Sequence, residues 1–359
     1  GPFTVRTQDG RTVARVAAGG TARFTRSGAG AAVETGAGRV QQGLALPLVV
    51  EPEEVGTLSA RGGRYRGALL VQPGARGGLT LVNRLDMESY LLGVVPREIG
   101  RFDADIYEAI KAQAVAARTY AVVYLGRRSA QGFDVYATVE DQVYGGVAAE
   151  NERVTRAVGE TAGEILTWRG EPITAYYHST CAGHTAAVDE VWNSPPVPYL
   201  VAVRDLDRNG EAYDKASSRF RWTERWTHAQ LVGILNRTLA DSLRGRRITQ
   251  VRGMEVVSRT PSGRVRAMHI DTDAGRFTVG RDRVRWILTP TRGGILNSSK
   301  FDVRTERGAG GLEFVAEGGG WGHGIGMCQV GAMGRARAGQ DYRTILEAYY
   351  PGTEIEDRY

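Results

Sequence analysis

Cysteine and lysine are scarce in this 359-residue chain: two cysteines, Cys181 and Cys328, and three lysines, Lys111, Lys215 and Lys300. Two cysteines cannot build a disulfide scaffold, so the fold must rest on a buried apolar core. A chain of this length can form that core as one large domain or two to three smaller ones. Long apolar runs are missing too. Ala45–Val50 and Ala114–Ala117 are among the longest and are far too short to span a bilayer. The formal net charge is +6, carried almost wholly by arginine. A basic surface favours polyanions, an anionic cell wall among them. Yet no run of five basic residues occurs, and aromatic side chains are not interleaved with arginine as in a nucleic-acid platform. The charge therefore reads as a solvated Arg-rich surface with no nucleic-acid partner. There is no fixed-period repeat, no His-Glu-x-x-His segment and no Gly-Lys-Ser/Thr phosphate loop. Gly1-Pro2 reads as the scar of a protease site, so the lack of a leader does not argue against export.

What is present suits an α+β protein of mixed helices and antiparallel sheets. Residues 1–80 read as a β-rich accessory region: Phe3–Thr7, Val13–Val16 and Ala68–Gln72 have strand composition and are bounded by Gly, Asp-Gly and Pro-Gly turns. Asp86 predicts an N-cap for a short helix stopped near Gly93, with Pro96-Arg97-Glu98-Ile99 in a turn. Asp105 is expected to cap a longer helix running to about Leu125, where Ile106, Ala109, Ile110, Gln113, Ala114, Ala117 and Tyr120 follow helical spacing. Glu164–Trp168 and Ile173–Tyr177 read as a strand pair joined at Arg169-Gly170. The interval 206–299 reads as an α+β insertion or second subdomain. It holds a helical stretch around Trp226–Leu239, strands around Ile248–Val257 and Val265–Thr272, and a helix over Arg281–Leu288. Helices are predicted over Gln329–Arg337 and Tyr342–Tyr350, the last stopped by Pro351-Gly352.

Three segments carry residue types that do chemistry. In Pro96-Arg97-Glu98, the carboxyl group of Glu98 follows Val94-Val95 and precedes Ile99; apolar neighbours of this kind raise a carboxyl pKa and make a proton donor near neutral pH. In the second segment, His178, Cys181 and His184 stand at i, i+3 and i+6, and Cys328 can supply a fourth ligand. Zinc binding, a Cys181–Cys328 disulfide, plain packing of the thiols and a nucleophilic Cys181 beside a histidine are all open on this pattern. The third segment, Gly318 to Gln329, is glycine-rich around Trp321 and His323. Packed glycines let a backbone and a Trp face approach a flat, hydroxyl-rich sugar, or simply form a tight turn.

Several words of the chain, taken in order, resemble the SpoIID/LytB family. They are Tyr90-Leu-Leu-Gly-Val-Val-Pro-Arg-Glu98, Ala109-Ile-Lys-Ala-Gln-Ala-Val-Ala-Ala-Arg-Thr-Tyr-Ala121 and Asp141-Gln-Val-Tyr-Gly145. They continue with Tyr177-His-Ser-Thr-Cys-Ala-Gly-His184, Glu190-Val-Trp192, Pro198-Tyr-Leu200, Gly320-Trp-Gly-His-Gly-Ile-Gly-Met-Cys-Gln329 and Ile345-Leu-Glu-Ala-Tyr-Tyr-Pro351. The resemblance implies a catalytic core formed by residues 81–205 and 300–359. It implies a peptidoglycan lytic transglycosylase that cuts the MurNAc–GlcNAc β-1,4 bond, with Glu98 as general acid and base and an anhydro-sugar product. By the same resemblance, Gln142, Tyr144, His178, Ser179, Trp321 and His323 line the substrate site, with Arg118 and Gln113 as structural supports. It implies no cofactor for the chemistry, and a structural zinc held by His178, Cys181, His184 and Cys328, because four protein ligands close the coordination sphere. Expected partners are glycan strands, including strands stripped of stem peptides, and a cell-wall amidase; the expected location is outside the cytoplasmic membrane. The rival implication is a non-catalytic amidase enhancer. A zinc peptidase or a cysteine hydrolase ranks behind it.

Overall fold

Short apolar–polar alternations cut by turns fold the described residues of the first 84 into ten strands. They are β1 (Phe3–Thr7), β2 (Thr12–Val16), β3 (Ala22–Ser27), β4 (Gly30–Thr35), β5 (Val40–Leu44), β6 (Leu48–Pro52), β7 (Leu58–Ala60), β8 (Gly63–Tyr65), β9 (Ala68–Pro73) and β10 (Leu79–Arg84). The computed structural model describes residues 1–36, 38–308 and 311–359. In it, β10-β9-β6-β1-β2 form one antiparallel sheet, β3-β4-β5 a second and β7-β8 a hairpin. Val5, Leu48, Val50, Leu69 and Val71 of the first sheet share a buried cluster with Ala31, Val33 and Leu44 of the second. Each such aliphatic side chain contributes about 1.5–3 kcal/mol on burial. The architecture is α+β throughout.

The chain divides into two compact units. Residues 1–103, 113–164 and 357–359 make the first; 104–112 and 165–356 make the second. In the first, Asp86 caps α1 (Met87–Ile99) by accepting from the Ser89 N–H. This helix does not stop at Gly93. It runs on through Pro96, Arg97 and Glu98 and ends at Gly100, whose left-handed backbone (φ 67°) returns its N–H to Pro96. Gly93 is glycine for another reason: a Cβ there would lie 2.3 Å from the Tyr144 ring. Glycine inside a helix thus marks a close approach here, and the helix-stop reading is corrected. The longer helix α2 (Tyr107–Tyr124) crosses the division between the units. Asp105 does not cap it. That residue sits in a 3₁₀ turn, Ala104–Ile106, and pairs with Arg337 at 2.7 Å. Asn151 caps α3 (Glu152–Glu160).

In the second unit, β11 (Glu164–Trp168) continues from the first unit and pairs with β12 (Glu171–Pro172) and β21 (Glu354–Asp357). The expected pairing of 164–168 with 173–177 is seen only at its start: Glu171 and Pro172 pair with Trp168 and Thr167, and the Ile173 N–H donates to the Leu166 carbonyl at 3.1 Å. Tyr177 and His178 form β13 and pair in parallel with Met327 and Cys328 of β20. Val188–Val191 forms the short α4. The stretch read as helical from Trp226 begins as strand β14 (Trp222–Thr227), whose residues alternate buried and exposed; Thr227 and Gln230 then make a reciprocal capping box for α5 (His228–Thr238). Ala240–Leu243 forms α6. A meander of β15 (Val251–Arg259), β16 (Val265–Thr272) and β17 (Gly275–Val279) follows, then α7 (Arg283–Ile287). Strand β18 (Phe301–Gly308) pairs with β19 (Gly311–Gly318), and β19 pairs with β14. Trp226, Leu231, Leu235, Ile270 and Phe314 lie in the buried cluster of these elements. Helix α8 spans Gln329–Arg337, and α9 spans Tyr342–Tyr349 ahead of Pro351-Gly352.

Candidate active site

Glu98 stands in the last turn of α1, partly buried, and its Oε1 accepts the Val143 N–H at 2.9 Å. Removal from water raises its pKa above the ordinary carboxyl range, and the Val143 hydrogen bond offsets part of that rise. The segment 141–145 is pinned to α1 by three contacts. Tyr90 donates to Gln142 at 3.0 Å, Gly145 N–H donates to the Gly93 carbonyl at 3.0 Å, and the Tyr144 ring stacks on Tyr90 with centroids 5.5 Å apart. Gln142 is buried and donates to the Ala117 carbonyl; the Tyr144 hydroxyl donates to Asn83 at 2.8 Å. A second buried acid of this unit, Asp141, is held by Arg128 at 2.8 Å and Arg127 at 3.6 Å and accepts the Tyr136 N–H. Behind the segment, fully buried Arg118 makes a two-pronged pair with Glu88 (2.9 and 2.7 Å) and donates to the Glu164 carbonyl. Among the expected site residues, the first unit thus gathers Glu98, Gln142 and Tyr144.

The second unit gathers another set. His178 Nδ1 meets the Ile325 carbonyl at 3.1 Å, and its Nε2 is buried with no hydrogen-bond partner among the described residues. The His323 ring lies 5.5 Å from that of His178, 5.4 Å from Trp192 and 6.1 Å from Tyr176, and its Nδ1 accepts the Ile325 N–H. Burial lowers both imidazole pKa values, that of His323 to about 4, so both rings are neutral near pH 7. For His178 burial is the larger cause, and a proton on His323 would act in the same direction. Gly326 holds φ 69°, and a Cβ there would strike the Tyr176 carbonyl at 2.0 Å; this is the close approach that the glycine-rich segment permits. Trp321 is 45% exposed, with the Arg219 guanidinium 4.9 Å from its ring centroid. Its backbone forms an antiparallel bridge to Thr180. The hydroxyl of Ser179 lies 3.3 Å from that of Thr180.

Both cysteines are free, buried thiols. Cys328 caps α8, its sulfur accepting the N–H of Gly331 and that of Cys181, each at 3.3 Å. The ligand atoms of His178, Cys181 and Cys328 lie within 4.8 Å of one another; His184 is not part of a converging group among the described residues. Its ring is half-buried, and its carbonyl accepts from Arg264. Two buried acids that motif reading did not single out complete the surroundings. Asp214 accepts the N–H groups of Cys181, Ala182 and Gly183, and Asp205 pairs with Arg335 at 2.9 Å and accepts the Tyr349 hydroxyl. Burial raises the thiol pKa of Cys181, and Cys328 with the two acids raises it further.

A family model for SpoIID, described as Stage II sporulation protein, matches residues 75–168, and a domain of unknown function (DUF8618) matches residues 206–326. Stage II sporulation protein D of Bacillus subtilis is 31% identical over 291 residues, covering 77% of this chain and 76% of that protein. The chain belongs to the SpoIID family. An uncharacterised protein of Brachyspira hyodysenteriae is 33% identical over 311 residues, 86% of this chain and 76% of its own length. The amidase enhancer of Bacillus subtilis is 31% identical over 300 residues, a span of 74% of this chain and 40% of the enhancer. The SpoIID match takes in Glu98, Gln142 and Tyr144, whereas Trp321 and His323 fall in the second match. Tyr90, Asp205 and Asp214 went unnoticed because single Tyr and Asp residues carry no local signal; only tertiary packing gives them a role.

Proposed function

We propose that this SpoIID-family protein is a peptidoglycan lytic transglycosylase that cleaves the MurNAc–GlcNAc β-1,4 bond and uses Glu98 as its single acid and base. The observation that carries this reading is a partly buried carboxyl group whose pKa is raised by desolvation and whose Oε1 is fixed by a backbone N–H. Protonated Glu98 gives its proton to the glycosidic oxygen as the C1–O bond breaks. The resulting carboxylate then takes the proton of the muramoyl O6 hydroxyl as O6 bonds to C1, which closes a 1,6-anhydro ring and returns Glu98 to its acid form. No water is consumed. A second carboxylate, needed by hydrolases to activate water or to act as nucleophile, is not needed here, because the nucleophile is already tethered. The pairing of Asp141 with two arginines fits that economy.

Gln142, Tyr144, His178, Ser179, Trp321 and His323 are proposed to contact the glycan. The neutral imidazoles of His178 and His323 suit hydrogen bonding rather than proton transfer near pH 7; with Nδ1 on the Ile325 carbonyl, the Nε2 of His178 serves either the glycan or a zinc ion, not both at once. Zinc is assigned a structural role. The open Nε2 of His178 and the two thiols fit a zinc ion, with His184 the outlying member of the expected set. Zinc bound there would cross-link the segments around residues 178 and 328 and supply no step of the reaction. Export to the cell envelope follows from the substrate. Identity to the amidase enhancer favours one alternative, a non-catalytic partner of a cell-wall amidase.

The test is digestion of purified glycan strands, intact and amidase-treated, by wild-type and Glu98→Gln protein, with products read by mass spectrometry. Anhydro ends from the wild type alone are expected. Water-added reducing ends would overturn the intramolecular step, and uncut strands would move the enhancer reading to first place.

A further inference from the structure

The match to a domain of unknown function, residues 206–326, encloses a cleft of about 690 Å³ that belongs wholly to the second unit. Its walls come from the end of the three-stranded sheet of β14, β19 and β18 and from the β15–β16 turn, and they include Arg221, Trp222, Arg259, Lys300, Asp302 and Glu317. Both acids are already engaged: Asp302 by Arg259, and Glu317 by Arg304. Two cations are left without a carboxylate. Arg221 donates to the Phe220 carbonyl at 2.9 Å, and Lys300 donates to the Ala182 carbonyl at 2.9 Å. Neither has an ion-pair partner among the described residues. Burial and then Arg264 disfavour Lys300 as a cation, Arg221 adds to this, and Cys181 and Asp214 offset part of it. A largely buried ammonium beside an exposed guanidinium, neither in an ion pair, is an arrangement that an anionic ligand would complete. Lys300 is moreover one of only three lysines among 46 basic residues. An ammonium with rotatable donors suits an anion that arrives from solvent, and arginine alongside offers two parallel N–H groups to a carboxylate.

We infer that the Arg221–Lys300 cleft binds a carboxylate carried by the glycan strand. This rests on the glycan reading of the protein and goes beyond it, because it gives the second matched domain a ligand. Two carboxylates occur on such strands. One is the lactyl group of muramic acid, free once the stem peptide is removed; the other is the group of carboxylates on the stem peptide itself. The glycine-rich loop connects the cleft to the rest of the unit, since Gly318 and Gly319 line it and Trp321 follows two residues later with its ring exposed. A strand lying along that loop would meet an aromatic face and then the paired cations.

The experiment is calorimetric titration of Glu98→Gln protein with three soluble strands: peptide-free, peptide-free with its carboxyl groups reduced to alcohols, and peptide-bearing. Peptide-free strands are expected to bind about ten-fold more tightly than reduced ones, as one charge-assisted contact warrants. Arg221→Gln/Lys300→Gln should abolish that gap and leave the affinity for reduced strands unchanged. A gap seen only for peptide-bearing strands would uphold the site and name the stem peptide as its source. Affinity for reduced strands equal to that for both peptide-free and peptide-bearing strands, no binding at all, or a gap that survives the double substitution would overturn the inference. Comparing ligands needs no change to the cleft, so a misfolded double variant does not blunt the test. If wild-type protein cuts no strand while carboxylate-dependent binding persists, the transglycosylase reading fails and the cleft stands.

Discussion

The two units use burial to opposite ends. In the first, partial desolvation shifts Glu98 toward its protonated form, and a single backbone N–H limits how far that goes. In the second, deeper burial strips protons from His178 and His323, so that bases which would titrate near neutrality are held neutral. The same term in the free energy therefore favours the protonated form of one group and the neutral form of the others. Residue type alone would suggest the reverse, since histidine is the usual proton carrier near pH 7.

The contrast is most sharply tested at Glu98. Glu98→Gln should lower strand cleavage by about 10³-fold, as removal of a general acid and base does. His178→Gln or His323→Gln should leave the shape of the pH profile intact, as measured by initial rates between pH 4 and 9. Activity of the wild type should fall as pH rises through the elevated pKa of Glu98, because the first step needs the protonated form. Stability carries the same sign. A folded-state pKa above the unfolded value stabilises the fold at low pH, and this contribution is lost as pH rises through the folded pKa. Above that pH, Glu98→Gln protein should therefore melt no lower than the wild type.

Zinc content probes the other side of the comparison. Wild-type protein is expected to carry one equivalent by elemental analysis, and Cys181→Ser or His178→Ala should weaken retention at least about ten-fold. Metal-free wild type after expression in zinc-supplied cells would reduce the second cluster to buried thiols and a neutral imidazole. Arg118→Ala should cost about 2–4 kcal/mol in denaturant unfolding, since it removes the counter-ion of partly buried Glu88 and the donor to the Glu164 carbonyl. The smallest effect is expected from Gly93→Ala. A methyl group 2.3 Å from the Tyr144 ring must push the 141–145 segment away, at about 1–3 kcal/mol. The Val143 N–H would retreat with it, and the pH limb of activity should move upward.

Where local chemistry decides structure, it was legible in the residues. Helix α8 runs over Gln329–Arg337 as expected, and α9 ends one residue short of expectation ahead of Pro351-Gly352. The apolar flanks of Glu98 pointed correctly to a raised pKa. Where partners are distant, it was not. Gly93 reads as a helix stop until Tyr144, 51 positions later, is seen against it. Trp226 reads as helical until its alternation with Trp222 and Glu224 is matched to β19. No local spacing could show that the carboxylates of Asp205 and Asp214 gather around Cys181, because those neighbours are set by packing of segments far apart in the chain.

The parallel pairing of β13 with β20 has a consequence in time. His178 and the Ile325 carbonyl it meets are separated by 147 residues, so the intervening chain must be made and largely folded before the contact can form. At roughly 5–20 residues per second, the first cysteine leaves the ribosome about 7–30 s before the second. Through that interval the Cys181 thiol waits without its neighbour, and the histidine–cysteine centre is among the last parts of the molecule to exist. A nascent or truncated chain can thus own the Glu98 helix and its pinned loop while lacking this centre altogether.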